Sequence, residues 1–365
     1  MIITKPTLLL DLQICKNNIN RMVEKAEKNN LSFRPHFKTH QSIEIGNIIK
    51  EFGIDKITVS SVEMAQYFAN SGWNDITIAF PFNPLEISNI EKLANEINLN
   101  ILISSKDSAE KLIEITQKEL NYFIDIDTGY HRSGILAEDI LQIEKTITLL
   151  KKQHNFKGFL THSGHTYQAN STNEILTIHQ KTIEKMDFLK NNFMSDFPEL
   201  ITSIGNTPSC TLAEDFGNVG EIRPGNFVFF DLMQYNLGVC NLADIAVCLA
   251  CPVVDINRDR NELVIYGGGV HLSKEFIIQN GDKNFGQVII LCKTGWQKNT
   301  ETSYIKALSQ EHGIIEASDK LLDEISIGDI VGIIPVHSCM TANLMCSFKT
   351  LDGQIFDHFP KGKHS

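Results

Sequence analysis

Side chains that could do chemistry gather in five short segments, each of which follows an apolar run. The segments are 34–40 (RPHFKTH), 125–134 (DIDTGYHRSG), 161–167 (THSGHTY), 203–209 (SIGNTPS) and 221–226 (EIRPGN). The first segment contains one lysine, Lys38, between two histidines. A lysine amine attacks a carbonyl carbon when desolvation or nearby positive charge favours its neutral form. Lys38 is therefore a candidate nucleophile, with His36 and His40 as cationic neighbours, although a lone lysine in such a segment is more often an ordinary surface residue.

Two turns in these segments have the residue types that bind phosphate. Gly205, Asn206 and Thr207 form one turn, and Gly225 and Asn226 belong to the other. Small residues allow an anion to approach backbone N–H groups closely, especially where a strand leads into a helix. The same residues are also common in tight connections that bind nothing.

A pair of metal-binding side chains occurs in the C-terminal part of the chain. His337 and Cys339 follow the apolar run 330–336. If that run continues as a strand through the pair, both side chains point to the same face. Imidazole and thiolate suit zinc, and two protein ligands leave coordination positions open for water or substrate. A buried cysteine can also be just a small apolar residue.

The elements that must position these segments alternate between strand and helix from about residue 13 to 225. Apolar β-rich runs predict eight strands, at 31–37, 57–60, 76–79, 100–104, 122–126, 157–161, 200–204 and 219–222. Apolar residues recur at helical spacing between them, most clearly over 173–193. Eight strands with intervening helices predict a TIM (β/α)8 barrel of the α/β class, with its active site at the C-terminal ends of the strands.

Beyond about residue 240 the pattern changes to short strands with turn signals, as at 262–266, 287–292 and 329–335. This pattern predicts a second, mostly β domain with little helix. The opening strand 7–11 precedes the barrel strands, and we assign it to the second domain. The expected domains are therefore 13–235 for the barrel and 1–12 plus 236–365 for the β domain, with a ligand bound in a cleft between them.

Composition restricts the partners. The 365 residues have a formal net charge of −11 and no basic patch, which speaks against binding nucleic acid. The apolar run 8–10 is too short for a signal peptide or a membrane span. The eight cysteines are scattered through apolar runs, as expected for reduced thiols. We expect a cytoplasmic protein with a small-molecule ligand and no membrane partner.

The five segments, together with 335–339 (PVHSC), resemble those of the fold-type III pyridoxal-phosphate enzymes, which have a barrel of the alanine racemase N-terminal type. Within that group they are similar to the D-serine dehydratase and D-threonine aldolase branch. The segments occur in the family's order, and the resemblance covers nearly the whole chain.

The resemblance implies a role for each segment. Lys38 would bind pyridoxal 5'-phosphate covalently and later move the α-proton of the substrate. Arg132 would lie beside the ring hydroxyl, although it could instead pair with Asp125 or Asp127. Arg223 matches an arginine that faces the ring nitrogen in alanine racemase. The remaining cofactor-binding residues would be His162 and Tyr167, which line the ring or stack on it, and Gly205, Asn206, Thr207, Gly225 and Asn226, which cradle the phosphate.

The residue types of the metal pair favour one of the possible reactions. Dehydratase-like members of the family carry His-x-Cys at this position, whereas typical D-threonine aldolases carry His-x-Asp. Cys339 therefore favours a dehydratase that uses zinc, or another divalent metal, on D-β-hydroxy amino acids such as D-serine, giving a keto acid and ammonia. A D-threonine-type aldolase that releases glycine and an aldehyde remains open, as do an amino-acid racemase and a non-catalytic pyridoxal-phosphate protein. The resemblance also implies a homodimer.

Overall fold

The structure, a computed structural model, describes residues 2–292, 295–297 and 303–360. Its strands are β1 (Thr7–Leu10), β2 (Ser32–Phe33), β3 (Lys56–Val59), β4 (Asp75–Pro81), β5 (Asn98–Ile103), β6 (Asn121–Asp127), β7 (Ile135–Leu136), β8 (Asn155–Thr161), β9 (Ile201–Ile204), β10 (Glu221–Ile222), β11 (Val247–Asn257), β12 (Glu262–Tyr266), β13 (Ile277–Gln279), β14 (Asp282–Asn284), β15 (Gly286–Cys292), β16 (Gly295–Gln297), β17 (Tyr304–Leu308), β18 (His312–Glu316), β19 (Ile330–Pro335), β20 (Ser347–Thr350) and β21 (Ile355–Asp357). Its α-helices are α1 (Leu12–Lys28), α2 (Ile43–Glu51), α3 (Val62–Asn70), α4 (Ile87–Glu96), α5 (Lys106–Ile115), α6 (Ile140–Leu150), α7 (Thr172–Phe193), α8 (Thr207–Leu212), α9 (Leu232–Asn236), α10 (Gly269–Leu272), α11 (Asp319–Glu324) and α12 (Ser338–Met345).

The chain forms two compact units, and one of them is a parallel barrel. This barrel unit comprises Arg21–Lys38 and Ile49–Gly225. Its strands pair in parallel in the order β2-β10-β9-β8-β6-β5-β4-β3. A bridge between His36 and Thr58 joins the two ends of this order, with the N–H of Phe37 donating to the carbonyl of Thr58 at 2.9 Å. The predicted eight-stranded TIM barrel is thereby confirmed.

Local sequence signals placed most barrel elements within a few residues. The helix predicted over 173–193 is α7, and it begins where the Ser171 side chain accepts a hydrogen bond from the N–H of Glu174. The strand predicted over 31–37 is the largest difference, because β2 spans only Ser32–Phe33. Proline has no N–H to donate, so the ladder is interrupted at Pro35 before the bridge at His36.

A buried polar network lies among the barrel strands. The Arg34 guanidinium pairs with Glu221 at 2.7 Å and with Asp75 at 2.5 Å. Ser203 donates to the second oxygen of Glu221 at 2.6 Å and accepts a hydrogen bond from Arg223. Arg34 and Glu221 are almost fully buried, so each charge depends on its partner for stabilisation.

The second unit, which we call the β unit, comprises Met1–Asn20, Thr39–Ile48 and Asn226–Ser365. Its main sheet has the order β12-β18-β17-β15-β19-β11-β1-β20-β21, with an additional pairing between β11 and β12 that closes six strands into a ring. The opening strand β1 is part of this sheet and pairs antiparallel with β11. A mostly antiparallel β unit after the barrel confirms the predicted fold class.

Two further features concern the whole described chain. All eight cysteines are free thiols, and Cys292, which follows an apolar run, is exposed. No helix in the described part of the chain is both long and apolar enough to cross a membrane.

Candidate active site

A cavity of about 350 Å³ lies in the barrel unit at the C-terminal ends of its strands. Five of the predicted site residues line it: Lys38, Arg132, His162, Gly205 and Arg223. They follow β2, β6, β8, β9 and β10, so the parallel barrel brings together side chains that are far apart in the sequence. The side chain of Lys38 is exposed.

The histidines near Lys38 are neutral, contrary to the expectation that they are cations. Burial lowers the pKa of His36 well below 6.5, and the positive charges of Lys38 and Arg223 lower it further. Burial also lowers the pKa of His40 to about 3, and its Nδ1 accepts a hydrogen bond from the N–H of Ser42. The arginines that line the cavity together with Lys38 are Arg132 and Arg223.

The tautomer and the charge of His162 follow from its hydrogen bond and its burial. Its Nδ1 lies 2.5 Å from the carbonyl oxygen of Gly205. Because a carbonyl oxygen can only accept a hydrogen bond, Nδ1 carries the hydrogen and Nε2 has the free lone pair. Burial, followed by the charges of Lys38 and Arg132, lowers the pKa of His162 to about 3. The ring is therefore neutral at physiological pH.

The two arginines of the cavity are held differently. Arg223 is 5% exposed and donates to the carbonyl of Thr161 at 2.7 Å and to the hydroxyl of Ser203. Burial lowers its pKa to about 10, so it remains a cation at neutral pH. The guanidinium carbon of Arg132 lies 5.4 Å from the centre of the Tyr130 ring.

The alternative in which Arg132 pairs directly with Asp125 or Asp127 is wrong. Asp125 accepts a hydrogen bond from Ser133 at 2.7 Å, and the Oδ2 of Asp127 lies 2.8 Å from His131 Nδ1. The described residues show no ion pair between Arg132 and either carboxylate, and Arg132 lines the cavity, where it can contact a ligand.

Polar groups converge at the turn that follows β9. The side chain of Asn206 caps α8 by accepting a hydrogen bond from the N–H of Ser209 at 2.7 Å. The N–H of Thr207 donates to the hydroxyl of Tyr167 at 3.4 Å. Among the described residues, the buried hydroxyl of Ser209 has no hydrogen-bond partner. A Cβ on Gly205 would lie 3.0 Å from the Cβ and the carbonyl oxygen of Arg223, so a side chain here would fit only if Arg223 shifted.

The second predicted phosphate turn divides between the two units. Gly225 is the last residue of the barrel unit, whereas Asn226 belongs to the β unit. The amide nitrogen of Asn226 donates to Asp231 at 2.7 Å and lies 3.5 Å from the sulfur of Cys339. The side chain of Asn226 is thus placed beside the candidate metal pair, which the sequence did not indicate.

His337 and Cys339 lie at the start of a helix, so the expected strand geometry is wrong. The strand β19 ends at Pro335, His337 is the residue before α12, and Cys339 is the second residue of that helix. Asp231 accepts hydrogen bonds from the N–H of Ser338 at 3.0 Å and from its hydroxyl at 3.2 Å. A carboxylate that binds first-turn N–H groups stabilises a helix start, which explains why the strand does not continue.

The two side chains nevertheless interact, since each shifts the pKa of the other. Burial opposes charge on the Cys339 thiol, but the hydrogen bond and positive charge of His337 outweigh it and lower its pKa. Hydrogen bonds with Cys339 and Glu275 outweigh the burial of His337 and raise its pKa to about 11. The hydroxyl of Thr39 lies 3.3 Å from the sulfur of Cys339. A low thiol pKa favours the thiolate, the form that binds metal.

The ligand set available to a metal ion is small. Within residues 2–292, 295–297 and 303–360, no group of three or more His, Cys, Asp and Glu side chains is arranged to hold a metal ion. An ion at His337 and Cys339 would therefore have two ligands of these types. Imidazole and thiolate are donor types that suit zinc.

Comparison with known proteins identifies the family. The family described as alanine racemase, N-terminal domain, matches residues 10–232, and the putative serine dehydratase domain matches residues 246–350. The chain belongs to the alanine racemase N-terminal domain family. It is similar to the D-serine dehydratase of Dictyostelium discoideum, with 31% identity over 99% of this chain and 97% of that protein.

Two further relatives match over similar lengths. The D-threo-3-hydroxyaspartate dehydratase of Delftia sp. (strain HT23) is 26% identical, over 96% of this chain and 95% of that protein. The crystal structure of an alanine racemase-like protein from Idiomarina loihiensis superposes with a TM-score of 0.89 at 28% identity, covering 98% of this chain and 97% of that one. Members of the alanine racemase group with this fold are fold-type III pyridoxal-phosphate enzymes.

The cavity residues fit pyridoxal phosphate. An amine on Lys38, a neutral imidazole on His162 and the cation Arg132 face one space. The unsatisfied hydroxyl of Ser209 and the glycine at 205 lie at one turn, as expected where a phosphate binds closely to the backbone.

Some residues around the two sites were missed by sequence reasoning. Ser209 was part of a quoted segment and could have been chosen as a phosphate ligand by its residue type. Thr39 was also part of a quoted segment, and Glu275 was not. Their partners Cys339 and His337 are 300 and 62 positions away in the chain.

Proposed function

We propose that this protein is a pyridoxal-phosphate- and zinc-dependent lyase that dehydrates D-β-hydroxy amino acids such as D-serine. The single observation that carries the proposal is the pairing of Cys339 with His337 at the start of α12, because a thiolate and an imidazole form a zinc site with open positions. The similarity over almost the full length to proteins named D-serine dehydratase and D-threo-3-hydroxyaspartate dehydratase supports the same reaction class.

We assign the cofactor to the barrel and the metal pair to the β domain, using the boundaries 13–235 and 1–12 plus 236–365. Lys38 would bind the cofactor covalently, Arg132 would face its ring hydroxyl and Arg223 its ring nitrogen. When bound, the cofactor supplies an electron sink for the Cα of the amino acid. The remaining binding residues in this proposal are His162, Tyr167, Gly205, Asn206, Thr207, Gly225 and Asn226.

The proton inventory of the cavity supports Lys38 as the base. His36 and His162 have low pKa values because they are buried, so they do not hold a proton at neutral pH. The Nδ1 of His162 already donates to the Gly205 carbonyl. Because their pKa values are so low, His36 and His162 are weak bases, which leaves Lys38 as the group that would take the α-proton from the substrate.

The metal pair would act on the β-hydroxyl, the group that leaves from Cβ. A zinc ion on His337 and Cys339, or another divalent ion, supplies a Lewis acid for the β-hydroxyl. Overall, the α-proton and the β-hydroxyl leave as water, and the enamine product adds one water as it hydrolyses to a keto acid and ammonia. D-serine would yield pyruvate.

Product analysis tests the proposal. The purified protein, loaded with pyridoxal phosphate and Zn²⁺, should release equal amounts of keto acid and ammonia from D-serine and none from L-serine. Lys38→Ala should lose both the visible absorption of the bound cofactor and the activity. Release of glycine and an aldehyde without ammonia would establish the aldolase instead. Interconversion of D- and L-alanine would establish a racemase, and a cofactor spectrum unchanged by every D-amino acid would indicate a non-catalytic protein.

The proposal also covers the cellular compartment and the oligomeric state of the protein. Eight free thiols suit a reducing compartment, so we place the protein in the cytoplasm. We also propose a homodimer, by resemblance to the family. A mass measurement by light scattering during size-exclusion chromatography tests this, and a monomer of 41.1 kDa would contradict it.

A further inference from the structure

Glu275 contacts the candidate metal ligand His337 directly. Its Oε2 lies 2.7 Å from the Nδ1 of His337. Because an ionised carboxylate only accepts hydrogen bonds, Nδ1 carries the hydrogen in this pair. The nitrogen of His337 that remains for a metal ion is therefore Nε2.

Ser273, two residues before Glu275, has an unfavourable backbone conformation, and hydrogen bonds to residues before and after it stabilise this conformation. Ser273 has φ 70° and ψ −177°, a region that is nearly restricted to glycine. Its N–H donates to Gly269 within α10, and its hydroxyl accepts the N–H of Glu275 at 3.4 Å. The hydroxyl of Thr341, in α12, donates to the carbonyl of Leu272 at 3.3 Å. Contacts with the helix that follows His337 therefore fix the turn that presents Glu275.

We infer that Glu275 is a positioning residue for the metal ion, which selects the tautomer of His337 and orients its ring so that Nε2 binds zinc. Histidine ligands commonly donate their other N–H to a carboxylate, and loss of that partner weakens metal binding about 10- to 100-fold. The inference rests on the proposed function, because it requires a metal ion at His337 and Cys339.

The β unit contains a second histidine–glutamate pair that provides a matched control. Glu311 lies 3.7 Å from the Nε2 of His271, and the Nδ1 of His271 accepts a hydrogen bond from the N–H of Gly268. This pair resembles the first in residue type and partial exposure, but neither residue belongs to the proposed site. Glu311→Gln therefore reports any general effect of removing a glutamate charge from this unit.

The test measures zinc affinity rather than turnover. The full-length protein, loaded with pyridoxal phosphate and stripped of metal, is titrated with Zn²⁺ against a chromophoric chelator. Glu275→Ala should weaken zinc binding about 10- to 100-fold. Glu275→Gln should recover part of the affinity, because its amide oxygen still accepts a hydrogen bond from Nδ1. Glu311→Gln should bind zinc like the wild type.

Cobalt substitution shows which ligand is affected. The thiolate-to-cobalt absorption of Glu275→Ala should persist at saturating Co²⁺, because Cys339 is untouched. Melting of the metal-free variants should match the wild type, which separates positioning of the ligand from a structural role. Unchanged zinc affinity in Glu275→Ala, with loss of binding in His337→Ala, would overturn the inference and leave the proposed function standing. A wild-type protein whose zinc binding does not depend on His337 and Cys339 would overturn both the inference and the metal-dependent part of the proposed function.

Discussion

Replacing Glu221 by glutamine removes a buried charge on which both the barrel and the cofactor cavity depend. In the wild type one oxygen of Glu221 accepts from Arg34 at 2.7 Å and the other from Ser203 at 2.6 Å. A glutamine of the same shape has one oxygen and one NH₂ group, so it can accept from only one of these donors. Arg34 would keep Asp75 as its remaining carboxylate partner.

The magnitude follows from the burial of the pair. Removing one partner of a buried ion pair costs about 3–5 kcal/mol. Because Asp75 still neutralises Arg34 in part, we expect the lower end of this range, about 3 kcal/mol. For domains of this size each kcal/mol lowers the melting temperature by about 2–4 °C, so the expected decrease is about 6–12 °C.

The assay is thermal unfolding of the cofactor-free protein followed by circular dichroism. Glu214→Gln is the control, because Glu214 pairs with Lys25 at 3.0 Å and Lys28 at 2.8 Å but its side chain is 64% exposed. Exposed pairs of this kind contribute about 0–1 kcal/mol. Equal decreases in melting temperature for the two variants would refute the reasoning that burial makes the Glu221 network important.

The variant should also affect the site. If the glutamine keeps its oxygen towards Arg34, its NH₂ group points to Ser203. The hydroxyl of Ser203, which accepts a hydrogen bond from Arg223, then loses the acceptor for its own hydrogen. We therefore expect weaker binding of pyridoxal phosphate, measured by titration of the visible absorption. Unchanged affinity would show that the position of Arg223 does not depend on this network.

Three further predictions follow from other positions. Cys339→Ala should keep the visible absorption of the bound cofactor but lose ammonia release from D-serine by roughly a hundredfold or more, since a metal Lewis acid contributes several kcal/mol; full activity would exclude Cys339 as a metal ligand. Gly158→Ala should lower the free energy of unfolding by about 2–5 kcal/mol, because Gly158 has φ 135° and a Cβ there would overlap the carbonyl oxygen of Ile201. Its control Gly53→Ala, at φ 80° with open space, should cost only about 1–2 kcal/mol, and similar urea-denaturation values for the two would contradict the overlap. The pKa of His40 is about 3 in the folded protein and 6.5 in the unfolded chain, so between these pH values unfolding takes up a proton. The contribution of His40 to stability is therefore fully present above pH 6.5 and is lost as the pH falls. Between pH 7 and pH 5 this loss should be about 2 kcal/mol in wild type and absent in His40→Gln, and equal pH dependence of the two proteins would reject the low pKa.

Much of the barrel could be predicted because its signals are local. The runs at 57–60, 122–126 and 200–204 are apolar and lie within or across the ends of the observed strands β3, β6 and β9. Polar segments come directly after two of these runs, 122–126 and 200–204, and parallel strands bring their C-terminal ends to one side of a barrel. The polar segments contain five residues that line the cavity, and of these Arg132, His162 and Arg223 were singled out by the family resemblance.

The wrong predictions concern residues whose conformation or charge depends on distant parts of the chain. The apolar run 330–336 predicted a strand continuing through His337, but Asp231 binds the N–H and hydroxyl of Ser338 and starts α12 there. His36 and His40 were expected to be cations because of their residue type. Their low pKa values depend on burial, which is a property of the folded chain.

The sequence by itself determined most of the barrel elements and the reactive residues that follow their strands, because periodicity and turn chemistry act over a few neighbouring residues. Only the tertiary structure decided the protonation of the cavity histidines and the partners of the metal pair. Thr39 meets Cys339 across 300 positions, and Glu275 meets His337 across 62. Such contacts depend on how whole elements pack, and local sequence carries no record of them.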